Sequence, residues 1–384
     1  MVQMEASVTT RDITVIIFGA GATKDSGGPL TNEILHEAFQ SAPSLVAQQN
    51  AIQLLRQFLD DNFFLSRNSP EDYPSLPLLL SLIDTAIDRK QSFGQWSPEM
   101  VVEARQAFEA AIFAVLDFRS PQAEMTSYLS LLQLAYPAKA PEATVISLNY
   151  DIILDMAMFE LSNQRTPGSM PSYGCDIRTQ AYQDCTERWG SLFKIHGSVN
   201  WMYCSQCHHL DIGWSSKRGV PSRIGTLFFS LEDQYAQKVV CPECGTRLRP
   251  ILITPTHRKD YRNPHLSRIW YEAERALQRA KRVIFVGYSL PDDDVEVIYL
   301  LKRSLSAKNP SPLSPQQITV IEKKDPQRRG LSVHPIGRRY RALFGDGIDF
   351  RPDGFSEWLQ ECKQFNPLLQ AGLPASTESL IRAQ

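Results

Sequence analysis

The feature that most constrains the fold is an apolar run that ends in a glycine-rich turn, ITVIIFGAGATKDSGGP at residues 13–29. Residues 13–18 are almost all apolar, which is typical of a strand buried on both faces. Gly19 and Gly21 then allow the backbone to turn tightly and to approach a ligand, and the helix expected next offers free N–H groups to a diphosphate. The run therefore predicts a buried strand and a nucleotide-binding turn, although similar turns also join strands to helices without a ligand.

Composition excludes several classes of protein. The chain has 384 residues, of which 43% are hydrophobic, so it can build one large core or two smaller ones. Its formal charge of -2 argues against a nucleic-acid binder dominated by phosphate neutralisation. Direct contact with DNA through Arg328, Arg329, Arg338 and Arg339 stays open, and a solvated face is the simplest interpretation of these arginines. The longest apolar stretches are shorter than the ~20 residues of a membrane span, and the first residues lack a signal peptide's apolar core. We expect a cytoplasmic protein with no membrane segment.

Four of the seven cysteines stand in two Cys-x2-Cys pairs. This spacing is typical of paired thiolates on one tetrahedral zinc, here a zinc ribbon with a long segment between the pairs. The predicted ligands of this structural Zn2+ are Cys204, Cys207, Cys241 and Cys244. Four free cysteines, or a shell that includes His208 or His209, are the alternatives. Four thiolates close the shell, so we expect no catalysis at this metal.

Strand and helix patterns alternate along most of the chain, which predicts an α/β fold: a Rossmann-like, doubly wound parallel sheet with a large helical insertion and a zinc-ribbon module. Residues 162–188, rich in Pro, Gly, Ser and Thr, are predicted to form a long loop. The insertion can be a packing layer, a lid over the nucleotide or an oligomer surface. The predicted boundaries are 1–30, 143–200 and 251–350 for the sheet core, 31–142 for the helical insertion, 201–250 for the zinc ribbon and 351–384 for a C-terminal helix and tail.

A polar motif follows each of five predicted strands, and ligands of doubly wound sheets bind beyond the carboxyl ends of the strands. The motifs are Gly19-Ala20-Gly21, Asn149-Tyr150-Asp151, His196-Gly197, Gly287-Tyr288-Ser289 and Glu322. Their position predicts one ligand site along this edge of the sheet.

Each of these side chains has a structural alternative to its functional interpretation. His196 can take a proton from a sugar hydroxyl or water, or it can be a satisfied structural histidine. The Asn149 amide can orient a ribose or a water, whereas Asp151 can do the same or cap the following helix. The acidic residues 292–294 fit the first turn of a helix, where its dipole favours them. Glu322 can bind an adenosine ribose or be a solvated loop residue.

Taken in order, these motifs resemble those of the sirtuin (Sir2) family. The matching strings are Gly19-Ala20-Gly21 with Ser26-Gly27-Gly28-Pro29, Leu148-Asn149-Tyr150-Asp151, His196-Gly197, the two Cys-x2-Cys pairs and Gly287-Tyr288-Ser289. The resemblance implies an NAD+ site and cleavage of the bond between nicotinamide and ribose. It implies that Asn149 and Asp151 hold the nicotinamide ribose and its water and that His196 is the general base. The predicted NAD+-binding set is Gly19, Ala20, Gly21, Asp25, Asn149, Gly287, Ser289 and Glu322.

Two departures from the sirtuin pattern favour water as the acceptor. Sirtuin deacylases follow the first proline with Asp-Phe-Arg, whose phenylalanine shields the reactive sugar from water, and this chain has Leu30, Thr31 and Asn32 instead. Their acyl-lysine peptide lies along a Phe-Gly-Glu segment, whose place is taken here by residues 253–256, Ile-Thr-Pro-Thr.

The chain is similar to the SIR2-like proteins of bacterial anti-phage systems. The similarity lies in the combination of the altered N-terminal motif, the long helical insertion and the string GYSLPDD at residues 287–293. Several of those proteins are NAD+ hydrolases that deplete NAD+ on infection, some with a partner such as a HerA-like ATPase. The resemblance implies an NAD+ hydrolase. Because a lethal NADase must be held off until it is triggered, we hypothesise a homo-oligomer, joined through residues 31–141 or the carboxyl-terminal tail, that provides this control. The alternatives are an NAD+-dependent deacylase or ADP-ribosyltransferase, and an NAD+-binding subunit that is non-catalytic or activated by a partner.

Overall fold

The fold is taken from a computed structural model of the chain. It describes residues 13–41, 49–65, 69–119, 123–136, 143–215, 220–221, 240–252, 263–306, 317–323, 325, 327 and 330–365. Residues 253–256, Arg328, Arg329 and the tail from 366 lie outside the described residues, so the predictions made for them are not addressed below.

Seven parallel strands form the central sheet, in the order β12-β11-β10-β1-β2-β4-β3. The strands are β1 (Ile13–Phe18), β2 (Ala143–Ser147), β3 (Met170–Ser172), β4 (Arg188–Lys194), β10 (Ala280–Val286), β11 (Ile318–Ile321) and β12 (Asp349–Arg351). The chain leaves β1 toward β2 and later crosses to β10 on the other side of β1, so the direction of winding reverses beside β1. This confirms the predicted doubly wound sheet and puts the crevice of such folds at β1.

The last residues of five neighbouring strands are in register at one edge of the sheet. Phe18 pairs with Ser147 on one side and with Val286 on the other, while Ser147 pairs with Lys194 and Val286 with Ile321. The polar motifs that follow these strands are therefore brought side by side.

Helices cover the sheet and form a separate bundle. They are α1 (Ala20–Asp25), α2 (Ile34–Gln40), α3 (Gln49–Asn62), α4 (Leu76–Arg89), α5 (Pro98–Arg119), α6 (Thr126–Ala135), α7 (Ile153–Arg165), α8 (Gln180–Gln183), α9 (Pro264–Arg279), α10 (Val295–Ser306), α11 (Pro335–Phe344) and α12 (Phe355–Phe365). Among the residues that the structure describes, no helix is both long enough and apolar enough to cross a bilayer.

The described residues form two large hydrophobic cores. One packs around the sheet, and the other is built from helices α2 to α5, with the buried aromatic side chains Phe58, Trp96 and Phe108 in edge-to-face contact. Helix α6 falls within the predicted insertion at 31–142, yet its buried residues Tyr128 and Leu131 belong to the sheet core. The helical core therefore ends with α5, because α6 packs in the sheet core, against α7, α12 and Phe18 of β1.

The predicted loop at 162–188 is wrong in part. Helix α7 continues to Arg165, strand β3 adds to the edge of the sheet, and the short helix α8 follows. The Pro and Gly residues lie between these short elements and do not form one long irregular segment.

Strands β5 (Gly197–Tyr203), β6 (Leu210–Ile212) and β9 (Arg249–Leu252) form a separate antiparallel sheet, and β7 (Trp214–Ser215) pairs with β8 (Val220–Pro221).

Candidate active site

The glycine turn after β1 is packed against the turn after β10. Gly19 N–H donates to the carbonyl of Val286 at 3.0 Å, and Gly21 N–H donates to the carbonyl of Gly287 at 2.8 Å. A Cβ on Gly21 would lie 2.8 Å from the Gly287 Cα, and a Cβ on Gly287, whose φ is +61°, would lie 2.1 Å from the Ala22 nitrogen. Glycine is therefore required at both positions, because the two backbones touch.

A cavity of about 410 Å³ opens beside this contact, at the carboxyl ends of β1, β2, β4, β10 and β11. Every predicted catalytic residue and every predicted NAD+-binding residue except Asp25 lines it: Gly19, Ala20, Gly21, Asn149, Asp151, His196, Gly287, Ser289 and Glu322. The helical core supplies Ser75, Leu76 and Pro77 at the amino end of α4 and Leu116 of α5. Volume and position are those of a small-molecule site.

Asn149 and Asp151 are joined through Thr23, a residue that the sequence interpretation did not single out. The Asn149 amide nitrogen donates to the Gly19 carbonyl at 2.9 Å and to the Thr23 hydroxyl at 2.8 Å. The Thr23 hydroxyl in turn donates to Asp151 Oδ2 at 2.8 Å. Because the Asn149 nitrogen holds the turn, its amide oxygen is the atom that it can offer to a ligand.

Asp151 also caps the next helix. Its Oδ1 accepts from the backbone N–H of Ile153 at 3.0 Å, at the start of α7, and its main-chain carbonyl accepts from the buried Lys194 ammonium, which also pairs with Asp155 at 2.6 Å. Burial raises the pKa of the Asp151 carboxyl, and Lys194 opposes that shift. Both Asp151 oxygens thus bond within the protein, where the carboxyl braces Thr23 and α7.

His196 follows β4 and is 5% exposed. Its Nδ1 lies 3.1 Å from the carbonyl oxygen of Leu148. A carbonyl only accepts, so Nδ1 carries the proton and donates, and Nε2 is the basic nitrogen. The ring contacts the rings of Tyr150 and Trp270, whose centroids are 6.1 and 6.4 Å away. This tautomer suits a general base.

Two side chains of α11 hydrogen-bond the main chain of the turn at residues 287–290. The Arg339 guanidinium donates to the Ser289 carbonyl at 2.7 Å, and the Tyr340 hydroxyl donates to the Tyr288 carbonyl at 2.8 Å. Leu290 has a φ of +49°, which is strained for a residue with a side chain. Arg339 was interpreted from sequence as part of a solvated face, and that interpretation is wrong, because its guanidinium bonds this turn.

Glu322 and Asp25 lie in different surroundings. Glu322 is 7% exposed; Oε1 accepts from the Lys323 N–H at 3.0 Å, while Oε2 has no hydrogen-bond partner among the described residues. Burial raises the pKa of the Glu322 carboxyl. Asp25 is exposed, at the end of α1, next to the backbone of Phe355. Among the described residues it stands outside the cavity lining, because α1 carries it one helical turn away from the glycine turn.

The four paired cysteines lie together at one end of the antiparallel sheet. Their sulfur atoms all lie within 4.8 Å of one another, with 3.4 Å between Cys204 and Cys244 and 3.5 Å between Cys207 and Cys241. A tetrahedral zinc with Zn–S bonds of ~2.3 Å needs sulfurs about 3.8 Å apart, so the cluster fits the ion. Four thiolates would leave no position for a substrate on such an ion.

Thr23 and Asp294 line the cavity, but the sequence analysis gave neither of them a functional role. Thr23 carries no signal of its own, since its partners lie more than 120 positions away. Asp294 has a signal, the acidic run at 292–294, but that run was equally well explained by the helix dipole.

A model of the SIR2-like domain family matches residues 143–334. Among solved structures, the chain is similar to one described as "Structural Basis for the Mechanism and Regulation of Sir2 Enzymes", with 13% identity, 92% of this chain and 94% of that chain covered, and a TM-score of 0.43. It is also similar to a Sir2–p53 peptide–NAD+ complex (15%, 93% and 94%, 0.41) and to a Sir2 homolog–NAD complex (12%, 92% and 90%, 0.40). None of the curated proteins is similar enough to count as a match. Because the matched segment is half of the chain, the protein belongs to the SIR2-like domain family.

Proposed function

We propose that the chain is an NAD+ glycohydrolase, which cleaves NAD+ to nicotinamide and ADP-ribose. Membership of the SIR2-like family supports an NAD+-dependent activity in general. The observation that carries the finer proposal is the meeting of Asn149 and His196 in one cavity beside the glycine turn.

The reaction needs a base and an oriented water. The water oxygen attacks C1′ of the nicotinamide ribose, and the C1′–N bond breaks with its electron pair going to the nicotinamide nitrogen. His196 Nε2 takes the proton of the water, and the Asn149 amide oxygen holds that water or the ribose hydroxyls. The proton leaves to solvent after ADP-ribose has formed.

The cavity wall favours water over an acyl-lysine peptide as acceptor. Leu30, Thr31 and Asn32, which stand where deacylases have Asp-Phe-Arg, all line the cavity. The amino end of α4 and Leu116 of α5 line the cavity as well. An aliphatic and two polar side chains thus stand where deacylases have Asp-Phe-Arg, so these positions supply no phenylalanine to shield the reactive sugar from water.

Nicotinamide release from NAD+ by the purified protein tests the proposal. His196→Ala and Asn149→Ala should each abolish the release, whereas His36→Ala, on α2, should retain it. The assay is run with and without an acetylated peptide. Release that requires the peptide would indicate a deacylase, and NAD+ binding without release would indicate a binding subunit. Normal turnover in either cavity variant would contradict the assigned roles.

The biological setting that we propose rests on the sequence resemblance. The enzyme would deplete NAD+ in the bacterial cytoplasm during phage infection, as a homo-oligomer joined through the helical core or the carboxyl-terminal residues, and with a HerA-like ATPase or another partner as activator. Light scattering at micromolar concentration tests the oligomer, and a mass equal to one chain would contradict it.

A further inference from the structure

Asp294 is a buried carboxyl at the start of α10, within the cavity lining. It ends an acidic run in which Asp292 is exposed, Asp293 is half-buried and Asp294 is 6% exposed. An acidic residue that served only the helix dipole would stay in water, because burying a carboxylate is costly unless it is paired or hydrogen-bonded. Its burial therefore calls for specific partners.

The two oxygens of Asp294 face different groups. Oδ2 accepts a hydrogen bond of 2.7 Å from the Tyr288 hydroxyl, and Oδ1 lies 3.9 Å from His196 Nε2. Tyr288 is itself fixed, since the Tyr340 hydroxyl bonds its main-chain carbonyl. The carboxylate is thus aimed at the basic nitrogen of His196 by a residue of the family's Gly-Tyr-Ser turn.

The groups around His196 come from three parts of the chain. Tyr150 follows β2, Trp270 lies on α9, and Tyr288 and Asp294 lie between β10 and α10. Burial and the charge of Asp294 raise the pKa of both Tyr150 and Tyr288, so both phenols stay neutral. The Asp151 carboxyl also lines the cavity, bonded to Thr23 and α7.

We propose that Asp294 is a positioning residue for His196: its carboxylate, held by the Tyr288 hydroxyl, faces Nε2 and stabilises the imidazolium that forms when His196 takes a proton. This inference rests on the proposed hydrolysis. The proton moves from water to Nε2 and none moves to Asp294. A carboxylate at this distance favours the protonated ring by direct attraction, which strengthens His196 as a base.

Asp294→Asn tests the inference, because the amide keeps an acceptor for Tyr288 and removes only the charge. We expect kcat at neutral pH to fall on the order of tenfold with little change in KM, because a weaker base accepts the proton less readily. The acid limb of the kcat/KM profile should move to lower pH by about one unit or more, since the imidazolium loses its counter-charge. Asp292→Asn, the same substitution at an exposed position, should change neither quantity.

A second readout does not depend on turnover. The ring signal of His196, identified by its loss in His196→Ala, is followed by NMR against pH in the ligand-free protein. Its titration midpoint should fall by about one unit or more in Asp294→Asn relative to wild type and to Asp292→Asn. An unchanged midpoint overturns the inference, whereas a shifted midpoint in a protein that does not cleave NAD+ supports the pairing and contradicts the proposed function.

If Asp294→Asn does not fold, the titration midpoint of His196 in the wild-type protein tests the inference. Burial alone would move the midpoint of a ring that is 5% exposed below ~6.5, because burial disfavours the charged form. A midpoint at or above ~6.5 supports a facing carboxylate, and a midpoint well below ~6.5 overturns it.

Discussion

The Asn149 amide nitrogen donates to the Thr23 hydroxyl at 2.8 Å, although the two residues are 126 positions apart. The same hydroxyl donates to Asp151, so one threonine links the turn after β1 to the loop after β2. The cavity thus depends on the hydroxyl of Thr23, a residue that is 2% exposed and is not expected to react.

Thr23→Val should destabilise the protein by about 1–3 kcal/mol, because it leaves Asp151 Oδ2 buried without its donor. The valine keeps the shape of the side chain, so packing is preserved. Nicotinamide release should fall as well, since Asn149 loses one of the two acceptors that orient it. Thr23→Ser, which keeps the hydroxyl, is the control. Equal free energies of unfolding for the two variants in denaturant titrations would contradict this account.

Glu322→Gln should stabilise the ligand-free protein at neutral pH. Burial raises the pKa of Glu322 above its ordinary value of 4.5, so folding favours the protonated carboxyl. The protonated Glu322 carboxyl therefore contributes to stability below pH 4.5, and this contribution is lost as the pH rises through the folded-state pKa. Above that pKa the charged, partly unpaired carboxylate costs stability, which the amide avoids.

The expected gain is about 1 kcal/mol at pH 7 and close to none at pH 4, measured as the difference in free energy of unfolding from wild type. The exposed Glu103→Gln on α5 serves as the control and should show no such pH dependence. A variant that is no more stable than wild type at pH 7 would show that Glu322 Oε2 is satisfied in solution.

The edge of the sheet was predictable because each strand is a local apolar run and each polar motif follows directly in sequence. Parallel pairing then brings those motifs together without further information. The Thr23 link, the burial of Asp294 and the bonding of Arg339 were not predictable, because each depends on partners brought close only by the complete fold. Helix α6 is a similar case, since an apolar stripe predicts a helix but not which of two cores covers it.

Removal of the metal should unfold the module around the four cysteines. Cys241 is 2% exposed and packs with Met202 and Leu248, so a bound metal and this small core would hold each other in place. We expect about one zinc per chain by elemental analysis, its loss in Cys241→Ser, and a lower Tm for that variant. Cys362→Ser, outside the cluster, should keep both. Metal-free wild-type protein with the Tm of the metal-loaded form would exclude a structural zinc.

Gly287→Ala should disrupt the contact between the two turns of the cavity. Gly287 has a φ of +61°, and its Cβ would lie 2.1 Å from the Ala22 nitrogen, so the methyl group forces the turn after β10 away from the turn after β1. The hydrogen bond from Gly21 to the Gly287 carbonyl would be strained at the same time. We expect a loss of about 2 kcal/mol or more in the free energy of unfolding, together with weaker NAD+ binding. Gly330→Ala is the matched control, because the nearest atom to its Cβ would be 3.8 Å away. If the two alanine variants have the same stability and NAD+ affinity, close approach of the turns is not what shapes this cavity.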